Sequence, residues 1–112
     1  MVSQSVPAIN VEQLRDMLDS AEPPVVIDVR EPWEHELCQI PGNKLIPLST
    51  LPQRLDDLSK DQVVVVHCHH GGRSARAVGF LQQQGFTKVY NLTGGIHDWS
   101  LRIDPSVKTY GQ

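Results

Sequence analysis

The stretch His67-Cys68-His69-His70-Gly71-Gly72-Arg73-Ser74 gathers a thiol, three imidazoles, two glycines, a guanidinium and a hydroxyl within eight residues. It follows the β-branched run Val63-Val64-Val65-Val66 and precedes Ala75, Ala77, Val78, Phe80 and Leu81, which are spaced as a helix. Cys68 therefore stands where a buried strand gives way to a helix. Two glycines allow a tight curl there, and such a curl turns backbone N–H groups inward. Inward N–H groups and the positive end of a helix dipole bind anions and favour thiolate over thiol, and Arg73 adds a fixed cation. A free cysteine has a pKa near ~8.5 and is a few per cent ionised at neutral pH; lowering it by about two units makes it mostly thiolate, the reactive form. Inert buried cysteines sit inside strands or helices, whereas Cys68 opens a Gly-Gly-Arg loop that no packing requirement explains. The chemistry expected is nucleophilic attack by Cys68.

Elements that can position this loop are readable along the chain. Val25-Val26-Ile27-Asp28-Val29, Val63 to Val66 and Val89-Tyr90-Asn91-Leu92 are too continuously apolar for one-sided strands and predict strands buried on both faces. A helix starts after Asn10, with Gln13 closing a capping box and Val11, Leu14 and Leu18 inward. A short second helix starts at Glu31-Pro32 and runs towards Leu37. A third opens near Thr50-Leu51-Pro52 and lines up Leu51, Leu55 and Leu58. The fourth has Ser74 as its cap and Gly85 as its stop, and a helical turn follows from Gly95 to Trp99. Strands alternating with helices predict an α/β fold with a parallel sheet covered on both sides.

Loops at the carboxyl ends of parallel strands share one edge, where ligands bind. That edge collects Asp28-Val29-Arg30-Glu31, the Cys68 segment and Thr93-Gly94-Gly95.

Composition narrows the classes further. The 112 residues predict one domain, with a core over about 6–100 and a tail over 101–112. A net charge of -3 with scattered lysines and arginines offers no stripe for nucleic acid, and no apolar run reaches a membrane span of ~20 residues. Met1 to Asn10 carries no basic start and no apolar stretch, so the expectation is a cytoplasmic, soluble protein. Cys38 and Cys68 lack CxxC spacing, which disfavours a disulfide framework and a zinc site.

With these residues in view, the chain resembles the single-domain rhodanese (thiosulfate sulfurtransferase) family. The likeness runs from about Val6 to Trp99, through Asp28-Val29-Arg30-Glu31, the Cys68 loop, and Gly94-Gly95-Ile96-His97-Asp98-Trp99, in that order. It implies a three-layer α/β fold with a five-stranded, mainly parallel sheet, an active loop from Cys68 to Arg73, and no cofactor. Cys68 would take the outer sulfur of thiosulfate or a similar small anionic donor, hold it as a persulfide and pass it to cyanide or a thiol. Backbone N–H groups of His69, His70, Gly71, Gly72 and Arg73 would bind that sulfur with Ser74 beside them, and Arg73 would favour an anionic donor. Asp28 and Arg30 would hold the surrounding loops. The tail Ile103-Asp104-Pro105-Ser106-Val107 resembles that of rhodanese domains attached to sulfur-relay enzymes, which points to a relay protein as a partner.

Other readings remain open beside this one. Cysteine phosphatases and arsenate reductases use a similar loop, but their signature has five residues between cysteine and arginine, whereas His69, His70, Gly71 and Gly72 make four. A smaller cradle suits one sulfur atom better than a tetrahedral oxyanion. A non-catalytic binding module on the same fold is a further alternative, opposed by the retained cysteine. His67, Cys68, His69 and His70 are adjacent rather than spaced as metal ligands, so no metal site is expected. Asp28 and Arg30 also fit a plain surface ion pair, and the His69 and His70 side chains fit exposed loop residues. Trp99 is expected in the core. Glu36-Leu37-Cys38-Gln39-Ile40-Pro41-Gly42 departs from the family, which usually has Gly-His before Ile-Pro-Gly; Cys38 reads as a buried, idle cysteine rather than a resolving thiol.

Overall fold

The three β-branched runs become the central strands of a five-stranded sheet in a computed structural model that describes residues 6–111. The ends of the 1–112 unit, and half of the segment read for a secretory signal, lie outside the described residues. In chain order the elements are β1 (Ala8–Ile9), α1 (Val11–Leu18), β2 (Val25–Asp28), α2 (Pro32–Leu37), β3 (Lys44–Leu45), 3-10 turns at Leu48–Gln53 and Leu55–Asp57, β4 (Val64–His67), α3 (Gly72–Gln83), β5 (Val89–Leu92) and α4 (Gly95–Arg102). The strand order is β1-β5-β4-β2-β3, and every pairing is parallel. Parallel neighbours require crossover connections, which carry the helices onto the two faces.

Alternation along the central strands separates two cores. Ile27, Val64 and Val66 pack with Leu51, Ala77, Val78 and Leu81 on the α3 face. Val26 and Val65 pack with Val11 and Leu14 of α1 and Ile96 and Trp99 of α4 on the other. Each such side chain contributes about 1.5–3 kcal/mol by leaving water. β4 is buried along its whole length, which explains why its sequence shows no polar alternation. Trp99 is a core residue, as expected.

The helix signals hold at four of the boundaries. Asn10 Oδ1 accepts from the Gln13 backbone at 2.8 Å and Gln13 Oε1 accepts from the Asn10 backbone at 2.8 Å, the capping box that starts α1. α2 starts at Pro32 and ends at Leu37, and Gly85, at φ +95°, follows the end of α3.

Two expectations are corrected. The helix opening near Thr50 is a pair of 3-10 turns, because Pro52 removes a backbone donor and disfavours helical geometry at Leu51. Its apolar spacing still works, with Leu51 buried and Leu55 and Leu58 packed against the core. α3 begins at Gly72, one turn of the loop earlier than a Ser74 cap would place it, and the cap position is Gly71 at φ +115°. Two strands, β1 and β3, are only two residues long and carry no periodicity to read.

The tail is ordered against the body: Ser100 donates its hydroxyl to the Val107 carbonyl, and Val107 is buried. Among the described residues no helix is long and apolar enough to cross a membrane.

Candidate active site

Cys68 leaves the end of β4 and is 1% exposed. Its Sγ accepts from the Gly71 N–H at 3.1 Å, the Ser74 N–H at 3.4 Å and the Ser74 hydroxyl at 3.4 Å. Three donors aimed at one sulfur stabilise negative charge there, as hydrogen bonds to the charged form do generally. The Gly72 and Arg73 N–H groups, in the first turn of α3, have no intrahelical acceptor and face the same end of the helix dipole. Ser74 is therefore a donor to sulfur rather than a cap. It is fully buried and also bonds Asn91 Oδ1 on β5, so its single hydroxyl proton serves two acceptors and turns towards whichever is more negative.

The loop is held open by α4. The Ile96 N–H donates to the Cys68 carbonyl at 2.9 Å and the His97 N–H to the His69 carbonyl at 3.1 Å. This close approach requires Gly95, at φ +62°: a Cβ there would lie 2.5 Å from both carbonyl oxygens. With those carbonyls engaged on α4, the N–H groups of the curl are left for sulfur. The backbone at Gly95 thus passes closely beneath the loop.

Behind the loop lies a chain of alternating charges. Arg30 grips Asp28 through Nε to Oδ1 at 2.8 Å and through Nη2 to Oδ2 at 2.7 Å, with both side chains fully buried. The surface ion-pair reading of these two residues is thereby excluded. Arg30 also donates to the Cys38 carbonyl at 2.6 Å and to the Tyr110 hydroxyl at 2.9 Å, so it ties β2 to the segment after α2 and to the tail. Tyr110 donates to Glu34 Oε2 at 2.8 Å. Arg73 then closes on Glu34 with two bonds, 2.7 and 2.9 Å. The cation expected to face an anionic donor is thus matched by a carboxylate, although the Arg73 side chain stays 34% exposed.

The titration behaviour of this chain follows from its pairing. Burial alone would raise the Asp28 pKa, but the Arg30 bonds, His67 and His35 outweigh it and hold the carboxyl below its usual range. Burial opposes charge on Glu34 too, yet the Arg73 bonds, the Glu31 backbone and Tyr110 bring its pKa down to about 2. Tyr110 is pushed up to about 12, first by burial.

The imidazoles divide into two sets. His67 points into the interior, fully buried, with Nε2 3.3 Å from Asn43 Oδ1; burial lowers its pKa to about 4, against the pull of Asp28. It is neutral at pH 7 and belongs to the core. His69 stacks on Tyr110 with centroids 4.1 Å apart and planes at 10°, and burial followed by the nearness of His70 lowers its pKa. His70 is exposed, and its ring lies 4.0 Å from that of His69 and 4.9 Å from that of His97.

Cys68, His69, His70 and Gly71 thus form a loop that runs straight into Gly72, Arg73 and Ser74 in the first turn of α3, and Asp28 and Arg30 stand behind it. Sequence reasoning missed Glu34, Tyr110 and Asn91. Glu34 is an acid on a short helix whose apolar Trp33 and Leu37 are exposed, Tyr110 lies in a tail without periodicity, and Asn91 interrupts an apolar strand. Only Asn91 carried a signal, a polar residue in a buried run. Cys38 is buried, its Sγ 3.7 Å from Arg30 Nη1.

A parallel α/β sheet that ends its central strand in a cysteine, with that sulfur at the centre of a backbone anion cradle, defines the class of protein. The family follows: the chain belongs to the rhodanese-like domain family, whose profile matches residues 10–102. It is 40% identical over 117 aligned residues to the Rhodanese-like/PpiC domain-containing protein 12, chloroplastic, of Arabidopsis thaliana, covering 96% of this chain and 38% of that protein. It is 36% identical over 103 residues to a sulfurtransferase of Allochromatium vinosum, covering 92% of this chain and 96% of that one. Among solved structures, the rhodanese-like domain protein from Staphylococcus aureus superposes with a TM-score of 0.82 at 30% identity, covering 95% of this chain and 100% of that chain. The chain thus spans little more than a third of the plant relative and nearly all of the bacterial one.

Proposed function

We propose that this protein is a sulfurtransferase that carries a sulfane sulfur on Cys68, with thiosulfate as a donor and cyanide or a thiol as acceptor. The observation that carries this reading is the set of three donors converging on Cys68 Sγ. Its bacterial relative at 36% identity is named a sulfurtransferase, which supports the same class.

In the first step the Cys68 thiolate attacks the outer sulfur of thiosulfate. A Cys68 S–S bond forms, the donor's own S–S bond breaks, and sulfite leaves with the electron pair. In the second, cyanide or a thiolate attacks the outer sulfur of the persulfide; that S–S bond breaks, thiocyanate or a new persulfide departs, and the Cys68 thiolate returns. No net redox change and no cofactor are needed. The negative charge sits on sulfur throughout, moving outward by one atom; the N–H groups of Gly71 and Ser74 meet Cys68 Sγ, and those of His69, His70, Gly72 and Arg73 would serve the outer sulfur. Arg73 keeps N–H groups beyond the two used by Glu34 and meets an anionic donor with them. Asp28 and Arg30 act through Tyr110, which stacks on His69. The proposal treats residues 1–112 as one working domain in the cytoplasm, and takes a sulfur-relay protein as a possible acceptor through its own thiol.

The discriminating experiment measures turnover with thiosulfate plus cyanide against turnover of an aryl phosphate. Thiocyanate formation that disappears in Cys68→Ser, with no phosphate release, is expected. Phosphate release without thiocyanate would replace this reading with phosphatase chemistry.

A further inference from the structure

The sequence offered His69 and His70 as neighbours only, but the fold brings His97 of α4 to them. One ligand nitrogen from each of the three rings lies within 4.8 Å of the other two. Three nitrogens bound to one zinc ion at ~2.0–2.1 Å each stand about 3.3 Å apart, a difference that rotation of a half-buried or exposed imidazole covers. The backbone between the rings is already fixed, since the His97 N–H donates to the His69 carbonyl at 3.1 Å. A second observation points the same way: His69 Nε2 and His97 Nδ1 are buried atoms with no hydrogen-bond partner among the described residues. Buried ring nitrogens are ordinarily satisfied, and a metal ion satisfies them. Imidazole sets of this kind suit zinc, copper or nickel rather than magnesium or calcium.

We infer that His69, His70 and His97 form a three-imidazole site for a divalent transition metal, and that filling it shuts off sulfur transfer. Two of the ligands belong to the Cys68 loop and the third to α4, so the ion cross-links the loop to the helix that supports it. Cys68 is 1% exposed and is followed directly by His69 and His70, so the approach of a donor or acceptor to its sulfur requires the loop to give way. An ion held by His69 and His70 obstructs that approach and fixes the loop. The metal site stands on the imidazole geometry alone; its effect on turnover rests on the persulfide reading.

The test titrates zinc chloride into tag-free protein by calorimetry, for the wild type, Cys68→Ser, His70→Gln and His97→Gln. One zinc ion per chain is expected in the wild type and in Cys68→Ser, with affinity lower by at least about tenfold in each histidine variant. Affinity unchanged in both histidine variants would mean adventitious binding elsewhere, and loss of binding in Cys68→Ser would make the thiolate the ligand; either result overturns the site. In the second arm, zinc-loaded wild type loses sulfur transfer and regains it with a chelator, while His97→Gln is insensitive at the same zinc concentration. Equal rates with and without bound zinc would overturn the regulatory role, and metal-free protein that gains no sulfur on Cys68 would instead fault the persulfide reading.

Discussion

The Cys68 sulfur and the buried carboxylates of this molecule are met by opposite kinds of partner. The Cys68 sulfur is met by two backbone N–H groups and a hydroxyl. The carboxylates of Asp28 and Glu34 are met by guanidinium groups, each through two bonds, and Glu34 also by a phenol. Neutral dipoles stabilise charge without forming a tight ion pair, so they suit the sulfur of the proposed cycle, which attacks, extends by one atom and is restored. Full charges in bidentate pairs suit groups that must stay where they are. The cations of this site are committed mainly to its shape, whereas the donors at the Cys68 sulfur are set by the fold of the backbone.

The sharpest way to break the comparison is to remove a cation from the paired side. Arg30→Met leaves Asp28 buried without its partner, and stability falls by about 3–5 kcal/mol in chemical denaturation. A loss under 1 kcal/mol would mean that Asp28 simply protonates or reaches water. Because Arg30 also holds Tyr110 and the Cys38 carbonyl, the variant loosens three segments at once.

Next in size is the dipole side. Ser74→Ala removes one donor from the sulfur together with the hydroxyl's bond to Asn91, while the backbone N–H remains. A hydrogen bond to a charged group contributes about 1.5–3 kcal/mol and a neutral one about 1 kcal/mol, so sulfur transfer slows by about 10-fold to 100-fold while stability falls by about 1 kcal/mol. A large loss of stability with normal turnover would put Ser74 on the structural side instead.

The smallest effects at neutral pH come from titration. The folded pKa of His67 lies at about 4, below its ordinary 6.5, so the unfolded chain binds the extra proton first; stability is complete above pH ~6.5 and is lost as pH falls towards 4. The folded pKa of Glu34 is about 2 against 4.5, so its contribution is present above ~4.5 and is lost as pH falls towards 2. Denaturation midpoints of His67→Gln should therefore fall less than those of the wild type between pH 6.5 and 4, whereas Glu34→Gln should flatten only the lower window. Parallel curves for His67→Gln and wild type would show that the buried imidazole does not set the upper window.

The same division explains what the sequence disclosed. The dipole side is local: a β-branched run, a cysteine, two glycines and a helical period lie within about twenty residues, so strand, curl and helix were all legible. The paired side is assembled over long separations. Arg30 and Tyr110 are 80 residues apart and Arg73 and Glu34 are 39 apart, and no periodicity links them. From sequence Arg73 stands only as a fixed cation, because its carboxylate partner lies on another helix. Ser74 was read as a cap because serine before a helix usually is one, whereas the left-handed Gly71 takes that place and lets the helix start sooner. The apolar spacing of Leu51, Leu55 and Leu58 located a packing face correctly but could not distinguish an α-helix from 3-10 turns around Pro52.

The most direct measurement of the central claim is mass spectrometry of the intact protein and its peptides after brief treatment with thiosulfate and removal of the excess. The account predicts a gain of one sulfur atom, located on the peptide containing Cys68, removed by cyanide and absent in Cys68→Ser. No gain on Cys68, or a gain located on Cys38, would contradict it.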